Sequence, residues 1–151
     1  MNTGRLLGID HGIKRVGLAV SDFTWRVARE LMVLKRKSRE EDFTRLRHIV
    51  VEQKIVAFVV GLPQNLEATE GKHTQADTVR LWATRLMDAI PEVPIVFWDE
   101  QLSSIEAKEL AEQKKRHYRD PIDDLAARII LQRYMDALCD GSASSPLHSC
   151  E

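Results

Sequence analysis

Hydrophobic and polar positions along the chain separate short strands from amphipathic helices. Residues 5–10 (Arg-Leu-Leu-Gly-Ile-Asp) read as a short buried strand that ends on a carboxylate, and residues 15–21 (Arg-Val-Gly-Leu-Ala-Val-Ser) as a second strand. Only a few residues, Gly12 among them, lie between the two, which predicts a hairpin. Residues 28–35 read as a third strand. Ser38 with Glu41 makes a capping box, and Phe43, Leu46, Ile49 and Val50 recur at helical spacing, so a helix is expected to end near Gln53. Residues 55–61 (Ile-Val-Ala-Phe-Val-Val-Gly) are a continuous apolar run, which suits a central strand buried on both faces. A polar loop, expected to be mobile and to lie beside the site, follows from Leu62 to Lys72. Val79, Leu81, Trp82, Leu86 and Met87 then mark a helix over 74–90, with Pro91 and Pro94 beyond it. Residues 94–100 read as a fifth strand. A second capping box, Ser103 with Glu106, opens a helix to about Gln113, and the basic stretch 114–119 reads as a loop. Pro121 suits the first turn of a last helix running to about Leu138.

A hairpin start followed by alternating helices and strands predicts an α/β fold: a mixed five-stranded sheet with helices on both faces. The 151 residues fit one domain, placed at 1–139. The run Asp-Gly-Ser-Ala-Ser-Ser-Pro after Cys139 predicts a disordered tail at 140–151. No apolar run is long enough to span a bilayer, and the first residues lack the pattern of a secretory signal, so a cytoplasmic protein with no membrane partner is expected. Cys139 and Cys150 have no paired spacing and read as incidental reduced thiols. The net charge of -1 argues against a generally basic nucleic-acid binder, so any grip on phosphates has to come from a local cluster of cations.

Carboxylates are where the chemistry concentrates. Asp10 ends the first strand, Asp99 and Glu100 end the fifth, and Asp123 and Asp124 open the last helix. Sites in open α/β sheets form beyond the carboxyl ends of strands. Acids gathered there repel one another, and a bound Mg²⁺ or Mn²⁺ relieves the repulsion. Each acid has an ordinary reading as a surface group or a helix cap. Asp10 fits that reading least, because Gly8 and Gly12 beside it let a ligand approach the backbone. On a helical wheel Asp123 falls inside the arc of Ala126, Ala127 and Ile130. Asp124 falls on the side of Arg128, four residues on, at the spacing of a surface ion pair. That arrangement singles out Asp123. Lys14 and Arg15 follow the first strand, and Lys114, Lys115, Arg116 and Arg119 precede Asp123; both groups are suited to phosphates. His11 reads either as facing the site or as a turn residue. Trp82 and Trp98 read as core. No Cys or His cluster offers a zinc site.

Four segments together resemble one family. Gly8-Ile9-Asp10-His11-Gly12 continuing through Lys14-Arg15-Val16-Gly17 to Asp22, then Val60-Gly61-Leu62-Pro63, then Asp99-Glu100-Gln101-Leu102-Ser103-Ser104, then Ile122-Asp123-Asp124-Leu125-Ala126-Ala127, are similar to the motifs of the YqgF (RuvX) family, in the same order. Gln101 stands where that family usually has Arg, and the basic loop 114–119 differs from the family's usual sequence. The resemblance implies an RNase H-like fold and a nuclease acting in maturation of the 5′ end of 16S ribosomal RNA, in a family also described as resembling Holliday-junction resolvases. It implies that Asp10, Glu100 and Asp123 form the acidic, metal-binding site.

The expected activity is therefore metal-dependent hydrolysis of phosphodiester bonds with Mg²⁺ or Mn²⁺. Structured RNA is the favoured partner, with branched DNA and ribosomal precursor particles as further partners. Two other readings exist. An actin-like phosphotransferase also begins with a strand and an Asp-x-Gly turn, but it needs a second phosphate loop and a second domain that this length does not supply. A non-catalytic RNA-binding module of ribosome assembly would have to tolerate acids beside phosphates.

Overall fold

The computed structural model describes residues 4–63, 74–100, 112 and 123–146, with the backbone alone at Glu100. Its elements are β1 (Arg5–His11), β2 (Arg15–Ser21), β3 (Ala28–Lys35), α1 (Arg39–Gln53), β4 (Ile55–Pro63), α2 (Gln75–Ala89), β5 (Ile95–Glu100) and α3 (Asp123–Asp140). The strands form one sheet in the order β3-β2-β1-β4-β5. β1 pairs antiparallel with β2, and β2 with β3; β4 runs parallel to β1, and β5 parallel to β4. This is the expected mixed sheet. The helix and loop expected over 103–119, and most of the loop from Leu62 to Lys72, lie outside the described residues.

Local signals set the helix ends. Ser38 Oγ accepts from the Glu41 N–H at 3.1 Å, and Lys54 closes α1 in a left-handed conformation, φ 55°, with its N–H on the Val50 carbonyl. α2 opens on a reciprocal pair: Thr74 Oγ1 accepts from the Asp77 N–H, and Asp77 Oδ2 accepts from the Thr74 N–H.

The two sheet faces are covered differently. Leu7, Ile9, Phe58 and Val60 pack under α1 and α2 with Leu46, Trp82 and Leu86. Leu6, Ala57 and Val59 pack under α3 with Ala127, Ile130, Leu131 and Tyr134. β4 explains its own composition: Ala57, Phe58, Val59 and Val60 are each 0% exposed, so alternate residues feed both cores. Of the segment expected to be a disordered tail, the described residues run to Pro146, and some of them hydrogen-bond back to the last helix. Ser142 and Ala143 donate to the Ala137 carbonyl, and the Tyr134 hydroxyl donates to the Ser144 carbonyl at 2.7 Å. A carbonyl partner for a buried phenol holds the chain there. Burial pushes the Tyr134 hydroxyl up to about 12.

His11 belongs to the α1/α2 face. Its ring lies 4.8 Å from Trp82, and its Nε2 lies 3.3 Å from Arg36 Nη1. It is neither in the acidic site nor a simple turn residue. Alternation along β1 turns it away from Asp10. Arg36 can only donate, so Nε2 acts as acceptor and the ring is neutral. Burial, and then the Arg36 charge, lower His11 from 6.5 to about 4. The unfolded chain takes up this proton near pH 6.5 and the folded chain only near 4. Stability is therefore complete above the first value and falls as pH drops through the window, by roughly 3 kcal/mol for a shift of this size. Urea unfolding of the wild type should weaken from pH 7 to pH 4.5 more steeply than that of His11→Phe, and parallel curves would contradict the assignment.

Candidate active site

Register decides which way Asp10 faces. Its cross-strand partner on β2 is Gly17. Directly opposed residues of an antiparallel pair share a face and lie about 5 Å apart. Gly17 identifies that face: a Cβ added to it would fall 1.9 Å from the Asp123 carbonyl oxygen and 2.8 Å from the Asp123 Cβ. The first residue of α3 is therefore seated directly on Gly17, next to Asp10. Two residues before Asp10, Gly8 repeats the device, since a Cβ there would fall 2.7 Å from Leu131 Cβ and 3.0 Å from the Ala127 carbonyl. Two glycines on one sheet face let the α3 backbone lie against the strands.

β5 supplies the third position. Val96 and Trp98 pack on the α3 side, with Trp98 edge-on to Tyr134 at 5.7 Å. The backbone at position 100, two residues past Trp98, is thus in register with the α3 face at the strand end, and Asp99 with the opposite face. The Glu100 side chain lies outside the described residues. The backbone brings Asp10, Asp123 and position 100 to one face at the carboxyl ends of β1 and β5, where α/β sheets form their sites.

Asp123 and Asp124 differ in a way the wheel does not capture. Asp123 is partly exposed, and its Oδ2 accepts from Arg15 Nε at 3.2 Å. Asp124 is buried, 6% exposed, and its Oδ1 accepts from the Leu125 N–H at 2.9 Å. Arg128 reaches across to Glu30 Oε2 at 3.1 Å. The expectation of a solvent-facing Asp124 paired with Arg128 is therefore corrected. Asp124, Leu125, Ala126 and Ala127 are all buried in succession after the partly exposed Asp123, so a single apolar arc does not describe the start of α3. Asp123 owes its place to the Gly17 seat instead.

Among the cations, Lys14 and Arg15 sit exposed at the β1–β2 turn, beside the acids. The Arg15 and Asp123 side chains are 49% and 25% exposed. An ion pair this open contributes about 0–1 kcal/mol, so a divalent cation or a phosphate can displace either partner. Lys114, Lys115, Arg116 and Arg119 lie outside the described residues. Sequence reasoning missed Gly17 as a site residue. Its signal was a glycine inside an otherwise apolar strand, a common mark of close backbone approach.

The donor chemistry of the site is hard. Asp10 and Asp123 offer carboxylate oxygens, and among the described residues no sulfur or imidazole joins them on that face at the strand ends, which suits Mg²⁺ or Mn²⁺. Among the described residues no three His, Cys, Asp or Glu side chains gather into a metal-binding group, and the Glu100 carboxylate is not among those residues.

The sequence model of one family, described as "RuvX: Holliday junction resolvase", matches residues 4–137. The chain belongs to the RuvX family. RuvX relatives include a protein of Thermoanaerobacter pseudethanolicus, 36% identical over 88% of this chain and 96% of the relative. Another, from Crocosphaera subtropica, is 41% identical over 86% of this chain and 91% of its own length. Both carry the name "Putative pre-16S rRNA nuclease". Among solved structures, Thermus thermophilus RuvC superposes with a TM-score of 0.56 at 17% identity, covering 93% of this chain and 98% of its own. The fowlpox virus resolvase bound to Holliday junction DNA superposes with a TM-score of 0.55 at 12% identity, covering 89% and 98%. These likenesses establish the fold as RNase H-like, and the RuvX relatives place the chain in a nuclease family.

The Gly17 seat yields a prediction. Gly17→Ala must push the start of α3 off the sheet, because the obstacle is backbone rather than a flexible side-chain tip. Overpacking of this kind costs about 1–3 kcal/mol. Urea unfolding should show that loss, and cleavage should fall more than the loss of folded protein explains. Unchanged stability and cleavage would show that α3 does not rest there.

Proposed function

We propose that the protein is a divalent-metal-dependent endonuclease that cuts structured RNA in maturation of the 5′ end of pre-16S ribosomal RNA, in the cytoplasm, with Asp10, Glu100 and Asp123 as its metal-binding and catalytic acids. The observation that carries the assignment is the seating of Asp123 on Gly17, the cross-strand partner of Asp10. Mg²⁺ or Mn²⁺ held by these acids would activate a water and stabilise the leaving oxygen of a phosphodiester. Asp10 is the fixed donor, because β1 is hydrogen-bonded on both sides, to β2 and to β4. Asp123 is the movable one, held by Arg15 until cation and substrate exchange for that contact. Arg15, once released, and Lys14 are placed to hold phosphate oxygens and orient the strand without reading its bases. The basic stretch with Lys114, Lys115, Arg116 and Arg119 would extend that track.

A second reading, cleavage of branched DNA, is favoured by the description of the matched family. One assay separates the two. Purified protein is offered a 5′-extended 16S precursor RNA and a four-way DNA junction in Mg²⁺, in Mn²⁺ and in EDTA. The RNA should be cut near its mature 5′ end, and EDTA should abolish the reaction. Asp10→Asn should lower cleavage by about 10³-fold or more while leaving the melting curve intact, as loss of a metal-holding group in a charge-stabilised reaction demands. Cleavage of the junction but not the RNA would transfer the assignment to branched DNA. Cleavage that survives chelation would remove the metal.

A further inference from the structure

The β1–β2 turn is held from behind by a single residue. Arg36 takes all three carbonyl oxygens of the turn: its Nη1 donates to Gly12 O at 3.1 Å and to Ile13 O at 3.3 Å, and its backbone N–H donates to Lys14 O at 2.9 Å. The same Nη1 lies 3.3 Å from His11 Nε2. Arg36 is in turn steadied by Asp42, whose Oδ2 lies 3.9 Å from Arg36 Nε. Asp42 is itself buried and accepts from the Lys37 N–H at 3.0 Å and from Arg45 Nη2 at 2.6 Å. Gly12 permits the tight path, since a Cβ there would meet the Arg15 carbonyl at 2.6 Å.

What this braced turn presents to solvent is an aliphatic side chain. Ile13 is 84% exposed, more than any other large hydrophobic residue described. A lone exposed aliphatic is ordinary on a protein surface. This one differs in position: Lys14 and Arg15 follow it directly, Arg15 touches Asp123, and Asp10 lies three residues back. An apolar knob thus sits beside the two cations that the nuclease reading assigns to phosphates, and bracing by Arg36 lowers the ordering cost of using it. Aliphatic side chains in such places act on nucleic acids by entering between base steps and unstacking them.

We infer that Ile13 is a wedge that packs against a base beside the cleaved bond, while Lys14 and Arg15 hold the phosphates of the same strand. The inference rests on the nuclease reading above and deepens it. Unstacking is easiest where bases are already unpaired, so the wedge favours bulged, looped or junction-flanking strands over continuous duplex.

The test uses the full chain and a 5′-extended precursor RNA with 2-aminopurine beside the cut, whose fluorescence rises when the base unstacks. Wild-type protein should brighten the probe on binding. Ile13→Ser should lose that signal and raise KM about 5-fold, as expected for about 1 kcal/mol of lost apolar contact. Its kcat should change far less, and its melting curve should match the wild type because the side chain is 84% exposed. Ile13→Leu should restore both readouts. Lys14→Ala should keep the fluorescence rise but flatten the salt dependence of binding. If Ile13→Ser retains the fluorescence rise and the wild-type KM in an enzyme that cuts RNA, the wedge is wrong and the nuclease reading stands. If the wild type neither binds nor cuts nucleic acid, both are wrong.

Discussion

The close approach of α3 to the sheet is the contact on which the site depends. It exists because Gly8 and Gly17 leave no Cβ between the strands and the helix backbone. Close packing leaves no slack at such a contact, so a methyl group displaces a whole element. With α3 seated, Asp123 stands beside the cross-strand partner of Asp10, and the large side chains of that face, Leu131 and Tyr134, fill the space further along the sheet. Asp10 and Asp123 share a sheet face because these glycines let the helix rest there.

The two faces of the sheet divide the work. The α3 side carries the acids. The α1/α2 side carries a polar chain, Asp42 to Arg36 to His11, that fixes the turn between β1 and β2 from behind. Keeping this chain off the acidic face has a physical reason. An Arg36 guanidinium packed beside Asp10 would oppose any cation there, whereas Arg15 is half exposed and its pair with Asp123 is weak. The neutral His11 serves the same end, since a protonated ring would repel the guanidinium that braces the turn.

Much of this was legible in the sequence because it is encoded locally. The hairpin, the continuous apolar run of β4 and the cap at Ser38 are written in residues close together in the chain, and the sheet follows from them. The place of Asp10 near the carboxyl end of β1 was legible because the apolar strand it closes is written in consecutive residues. The reading of Asp124 failed because a wheel assumes one buried arc, and the start of α3 buries four residues in succession after Asp123. Nothing in the Ser and Gly content after Cys139 announces that Tyr134 donates to the Ser144 carbonyl. Arg36 and Ile13 were invisible for another reason. Arg36 acts on carbonyl oxygens, which every residue has, and exposure of an isoleucine is a property of the folded turn.

The central claim is that Asp10 and Asp123 face a common divalent cation. Mn²⁺ binding, followed by calorimetry or by the electron-spin resonance of the free ion, measures it without substrate or turnover. Asp10→Asn and Asp123→Asn should each weaken Mn²⁺ binding, and the double variant should weaken it by clearly less than the sum of the two free-energy losses, because groups sharing one ligand are not independent. Asp124→Asn should leave the affinity near that of the wild type. Additive losses at Asp10 and Asp123, or an affinity that collapses in Asp124→Asn and survives in Asp123→Asn, would contradict the account.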